Sequence, residues 1–412
     1  MSDNMNRSRN LNVLRELAKS VAEIAAKDIQ EERRELWRAH NNFERVRPPV
    51  CIRGGCEWEA IGPQMVCDDP FDRSCESFLR YQILKDTYGD DSIVEPWVTQ
   101  RARFFIPGDE VWGVKFNRQN AYENSLGFRM IPPLKSFDDM DKMTIPVHEI
   151  DEAQTAELAE RLHEAVGGEL EVHVDRTPLW YCWGADISTH LGYLRGHEQI
   201  FYDMIDNPDE LHKLLAFMRD GVLKAQGEAE RAGDWSLCEQ ENQVMPYART
   251  LAGPKPNSHG AKRNELFMFF GAQEFESVSP QMHEEFLLQY QMPIMKEFGL
   301  IAYGCCEDLT NKIDMLRQVP NLRRIAVTPF ANARRCAEQI RGDYICSYRP
   351  NPTYVRGGFD EEYIGNILRD AMSAFKRNWC FVDICLKDVS TVQGDMSRLV
   401  KFTELSKRIA EE

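Results

Sequence analysis

No stretch of this 412-residue chain approaches the roughly 18 to 20 consecutive apolar residues that cross a bilayer, so no membrane span is expected. Positive charge is in deficit: 50 Lys and Arg against 66 Asp and Glu give a formal net charge of −16. Such a surface repels a phosphate backbone and argues against a nucleic-acid partner. The opening residues, MSDNMNRSRNLNV, lack the apolar core of a secretion signal, and the expectation is a cytoplasmic protein. There the 12 cysteines are reduced thiols, open to roles as core residues, metal ligands or nucleophiles. Composition shows no break and no long linker. The irregular stretch LAGPKPNSHGAKRN (251–264) reads as a loop rather than a domain boundary. One domain over residues 46–412 is expected, with an N-terminal helical extension over residues 1–45.

What the chain does have is alternation. Within residues 11–37, Leu14, Leu17, Val21 and Ile24 recur on one face of a helix opposite charged residues, the pattern of an amphipathic helix suited to covering a larger body. Apolar runs that read as strands follow at 48–52, 91–97, 169–174, 178–183, 298–306, 322–329, 343–350 and 378–386, with FMFF (267–270) and DWSLCEQ (from 234) besides. Helical stretches, the longest over 197–233, lie between most of them. This predicts an α/β fold on a parallel sheet, and about eight such units predict closure into a TIM (β/α)8 barrel.

In such a barrel the chemistry gathers where strands end and loops begin. Those positions carry Arg53, Cys56 and Glu57; Glu95 and Trp97; Cys182 and Trp183; Cys238, Glu239 and Gln240; Gln273, Glu274 and Glu276; Cys305, Cys306 and Glu307; and Cys385, Lys387 and Asp388. Thiols, carboxylates and indoles recur at the predicted mouth. The histidines give less: His190 and His197 do not stand at ligand spacing, and His173 lies within a strand-like alternation.

Four stretches resemble the uroporphyrinogen decarboxylase superfamily, a TIM-barrel group. They are VRPPVCIRGGCEW, PLWYCWGADISTHLGYLRGHEQIFYDMIDNPDELHKLL, GAQEFESVSPQMHEEFLLQYQMPIMKEFG and RPNPTYVRGGFDEEYIGNILRDAM. The decarboxylases of that group hold substrate carboxylates with an arginine pair in the first loop. Here Arg53 matches the first arginine, whereas Glu57 stands in place of the second, and the region of the group's Gly-His-Gly reads ICLKDVSTV, without histidine. The resemblance to the corrinoid-dependent methyltransferase branch fits better. It implies transfer of a methyl group between a small methyl-ether or methylamine type of compound and a corrinoid carried by a partner protein. Thiol-methylating members bind zinc through His-x-Cys and a later cysteine. Tyr303-Gly304-Cys305 falls at the first element and Cys385 near the second, so the resemblance implies a zinc site at Cys305, Cys306, Cys385 and Glu274. Glu57, Glu95, Glu276 and Glu307 are the catalytic candidates, since a crowded carboxylic acid holds a proton for the leaving group. Arg53, Trp97, Trp183 and Tyr303 are the substrate-binding candidates. A homodimer is the oligomer common in the family. The alternatives are a porphyrinogen-type decarboxylase and a binding relative without catalysis.

Overall fold

Strands and helices alternate through the computed structural model, which describes residues 2–106, 110–120, 128–237 and 245–412. The strands among these residues are β1 (Val50–Arg53), β2 (Trp97–Arg101), β3 (Asn117–Asn120), β4 (Phe128–Ile131), β5 (Glu171–Asp175), β6 (Phe267–Phe270), β7 (Leu300–Tyr303), β8 (Leu322–Val327), β9 (Ile345–Tyr348) and β10 (Phe381–Lys387). Six of them form one parallel sheet in the order β1-β10-β9-β8-β7-β6. β2 and β5 form a separate parallel pair, and β3 and β4 an antiparallel one.

The α/β class and the parallel sheet agree with the sequence, but the ladder does not close into an eight-stranded barrel: it is a six-stranded half-barrel. Two seams explain this. Beyond β1, the outward amide groups of Val50 and Ile52 donate to the carboxylates of Asp91 (2.8 Å) and Asp90 (2.7 Å) instead of to a neighbouring strand. Satisfied edge donors have nothing left to offer β2. Between β5 and β6, the segment around Trp235 forms no strand among the described residues; its carbonyl accepts from Ala261 and the amide of Leu237 donates to the Ser258 hydroxyl. Cys238, Glu239 and Gln240 lie outside the described residues.

Other boundaries shift as well. The leading helix is two helices, α1 (Ser2–Ala25) and α2 (Asp28–Asn41). Asn207-Pro208 divides the long helical stretch into His197–Asp206 and Pro208–Ala232, since proline has no amide to continue the first ladder. The strand expected over 91–97 begins at Trp97. Glu95 and Trp97 therefore stand at the amino end of β2, not at a strand's carboxyl end. The segment 178–183 is irregular and ends in a short helical turn, Cys182–Gly184.

Side chains alternate across the sheet. Outward residues such as Phe270, Tyr303, Ile325, Val327 and Ile384 join the main apolar core under the helices. The inner face is polar along β8, β9 and β10. Arg324 donates to Asp383 Oδ2 (2.5 Å), Ser347 donates to Asp383 Oδ1 (2.9 Å), and His40 Nε2 lies 3.2 Å from Asp383 Oδ2. His40 and Trp37 come from α2, which thus covers this face near the strands' amino ends; the Arg324 guanidinium lies 5.8 Å from the Trp37 ring centre. α1 packs Leu14, Ala18 and Val21 with Cys75, Leu79 and Leu162 in a second, smaller core.

Two histidines embedded in this framework make the fold acid-sensitive. Burial, helped by Lys312, pushes His283 down to about 3, and burial lowers His40 against the pull of Asp383. A free imidazole titrates near about 6.5, so below that pH the unfolded chain binds more protons than the folded one. The associated stability is complete above about pH 6.5 and is lost as pH falls toward the folded values. Urea unfolding should therefore show a midpoint that drops between about pH 7 and about pH 5; a constant midpoint over that range would contradict this account.

Candidate active site at the strand carboxyl ends

Carbonyl ends of β6, β7, β9 and β10 meet around the loop that follows β7. Gly304 opens this loop with φ +103°, and a Cβ there would stand 2.6 Å from Leu309 Cδ1 and 2.9 Å from Ala326 Cβ, so only glycine fits. The carboxylate of Glu307 ties the turn together, accepting from the amides of Cys305 (2.8 Å) and Ala272 (2.9 Å). Glu307 is 1% exposed. Both its oxygens are engaged with backbone, which makes it a brace between the loops after β6 and β7.

That brace presents two thiols inward. The Sγ atoms of Cys305 and Cys306 are 3.4 Å apart, and the Lys387 ammonium donates to Cys305 Sγ (3.4 Å) and Cys306 Sγ (4.0 Å). The shared hydrogen bond with Cys305 and the nearby Lys387 bring Cys306 down to about 7, whereas the same bond and burial push Cys305 up. Arg349 donates to the carbonyls of Gly304 (3.1 Å) and Cys305 and so fixes the loop from β9. Cys385 faces a different sulfur: it is the register partner of Cys51 on β1, and its bond with Cys51, with Arg53 close by, lowers it to about 7.

These positions decide whether a zinc ion fits. Cys305 and Cys306 meet an ammonium group, Cys385 meets Cys51, and Glu274 accepts from the Ser188 hydroxyl. Among the described residues no three His, Cys, Asp or Glu side chains are grouped as a metal ion requires. Among the described residues, the four expected ligands are thus not gathered into one zinc-binding set.

The remaining candidates are distributed unevenly. Arg53 lies beside Lys387 in register on the inner face and donates to Met245 Sδ (2.9 Å). Glu57 is buried, and burial raises its carboxyl above the usual range. Trp183 packs edge-on against Phe269 at 4.8 Å between centroids. Glu95 is held by Arg34 (2.8 Å) and the Tyr247 hydroxyl, and Trp97 is buried in β2. Tyr303 points outward, away from the thiols, donating to Gln291 (2.8 Å) and lying 2.9 Å from His283. Glu276 is exposed, and its backbone carbonyl accepts from Lys312.

The structure adds Asp186, a residue the sequence reading passed over. It is 1% exposed, and burial together with Glu274 and Glu307 holds its carboxyl well above the usual range. Its Oδ2 has no hydrogen-bond partner among the described residues. The backbone on either side is strained, with Cys182 at φ +50° and the β-branched Ile187 at φ +66°, conformations that side-chain-bearing residues adopt at a cost and that cluster at functional sites. In sequence, Asp186 before Ser188-Thr189 reads as a helix cap, and Thr189 does donate to it (3.3 Å). The mouth thus has a carboxyl half, after β5 to β7, and a cationic half, after β1, β9 and β10.

No protein-family model and no curated protein matches this sequence. By structure, the chain is similar to a methyltransferase from Methanosarcina mazei, with a TM-score of 0.52 and 12% identity, over 91% of this chain and 97% of that one. At such low identity the likeness is one of fold. No helix among the described residues is long and apolar enough to cross a membrane.

Proposed function

We propose that the protein is a methyltransferase that moves a methyl group between a small methylated compound and a corrinoid carried by a partner protein. The observation that carries this reading is Asp186, a buried carboxyl whose protonated form is favoured by burial and by Glu274 and Glu307, in a fold shared with a methyltransferase over 91% of the chain. A methyl ether or amine parts from its methyl group poorly unless the departing oxygen or nitrogen receives a proton. Asp186 supplies that proton in this reading, and Trp183 with Phe269 offers an apolar wall for the donor. A corrinoid, when brought to the mouth, supplies the nucleophile for the methyl group. Exposed Trp58, Leu179 and Phe330, each a few residues beyond the end of β1, β5 or β8, form apolar lips that suit the approach of a large carried group.

The test is incubation of the protein with a Co(I) corrinoid protein and a panel of methyl ethers and methylamines. A methyl-cobalt absorbance spectrum that develops with one donor class supports the reading, and no response to any donor sinks it.

A further inference from the structure

Cys305 and Cys306 take no part in the proposed proton transfer, and their setting differs from that of the other thiols. Every described cysteine is buried except Cys306, which is half-buried. Its Sγ lies 3.8 Å from the Asp388 carboxylate, a side chain 58% exposed, so this sulfur faces outward. Cys305 sits one step deeper, 4% exposed, with its Sγ 3.4 Å from that of Cys306. Lys387 brings an ammonium to both sulfurs, and a cation beside a thiol favours the thiolate, its nucleophilic form. An accessible sulfur backed by a buried one is the arrangement of an attacking and a resolving thiol.

The backbone around the pair is held in place. Glu307 accepts from the Cys305 amide, and Arg349 donates to the Cys305 carbonyl. Closure therefore falls mainly to the side chains, which draw the sulfurs from 3.4 Å to the roughly 2 Å of a disulfide. Neighbouring Cα atoms stand about 3.8 Å apart, closer than the roughly 4.4 Å or more of ordinary bridged pairs. A bridge between them is strained and so readily reduced again. The other facing pair, Cys51 and Cys385, is shut in by Trp37, Ile93 and Tyr247, where no reagent reaches it.

We infer that Cys305 and Cys306 form a redox-active dithiol site whose reactant is a low-molecular-weight disulfide. Cys306 Sγ attacks one sulfur of the reactant, the reactant's S–S bond breaks, and its first thiol leaves. Cys305 Sγ then attacks Cys306 Sγ in the mixed disulfide, and the second thiol leaves. The protein pair is oxidised to a vicinal disulfide, and the reactant is reduced to two thiols that carry away both protons. Nothing in this exchange depends on methyl transfer.

Exposure of the reduced full chain to oxidised glutathione tests the site. Remaining thiols are alkylated under denaturing conditions, and the mass of the tryptic peptide 297–312 is measured; it contains Cys305 and Cys306 and no other cysteine. Expected is an unalkylated peptide lighter by two hydrogen atoms, with both thiols restored by dithiothreitol. Cys305→Ser should stop at the mixed disulfide and retain glutathione on Cys306, whereas Cys306→Ser should take up none. Circular dichroism checks that the variants fold, and the wild-type peptide mass decides in either case. Two alkylated thiols in the treated wild type, a wild type that accumulates the mixed disulfide without closing, or a folded Cys306→Ser variant that takes up glutathione on Cys305 as fast as wild type reacts overturns the site.

Discussion

On the proposed methyl-transfer reading, Asp186→Asn is expected to lower kcat by about 10² to 10⁴, the range by which a positioned general acid speeds a reaction, while leaving the fold intact. Asparagine keeps the shape of the side chain and, like the neutral form that burial, Glu274 and Glu307 favour, carries no charge. It removes only the transferable proton. A donor whose leaving group is already acidic needs that proton less, so the deficit should shrink along a series of aryl methyl ethers with progressively more acidic phenols. A variant that loses activity equally across such a series, or loses none, removes Asp186 from the chemistry. Ser188→Ala is the companion measurement. It breaks the bond to Glu274 without touching the Asp186 carboxyl, and a smaller effect than that of Asp186→Asn is expected.

Asp383→Ala should cost about 3–5 kcal/mol of unfolding free energy, the usual penalty for removing one partner of a buried ion pair. Asp383 is wholly buried and accepts from Arg324 and Ser347, with His40 beside it. Without it the Arg324 guanidinium, whose Nε and Nη1 already lack partners among the described residues, is an isolated charge inside the protein. Denaturant melts read the loss directly. The pH dependence gives a second check, because Arg324 and His40 hold Asp383 below the usual carboxylate range even though burial opposes them. A depressed carboxyl stabilises the fold above its unfolded value, about 3.9, and that contribution disappears as pH falls through the folded value. The gap between wild type and Asp383→Ala should therefore narrow in strong acid. A gap that is small at neutral pH would mean that Arg324 finds water or another acceptor.

The sequence carried the strand–helix alternation well because β6 to β10 are short apolar runs of ordinary length bounded by polar loops, a pattern that periodicity detects. It could not carry closure. Whether β1 bonds to β2 depends on where the Asp90 and Asp91 carboxylates turn, and that is a tertiary fact. The loop after β7 was legible as a cluster of thiols and a carboxylate at a strand end, and Cys305, Cys306 and Glu307 do meet there. The partners of those groups were hidden. Cys385 goes to Cys51 because β10 lies against β1, and nothing in spacing tells which strands are neighbours. Lys387 and Arg349 sit in or just after apolar runs that signal only strand. Asp186 follows an irregular segment with no period and wears the sequence signature of a helix cap.

The pairing of the first strand of the sheet with its last also bears on how the chain assembles. Arg45 and Cys380 are hydrogen-bonded across 335 residues, so the β1–β10 seam cannot form until β10 itself has been synthesised. Contacts that distant slow folding and leave strand edges open to wrong partners in the meantime. One edge of β1 escapes that hazard early, because Asp90 and Asp91 emerge soon after it and occupy its amides. The other edge remains a sticky, unfinished surface until β10 arrives, which makes the docking of β10 the step that commits the sheet to its native pairing.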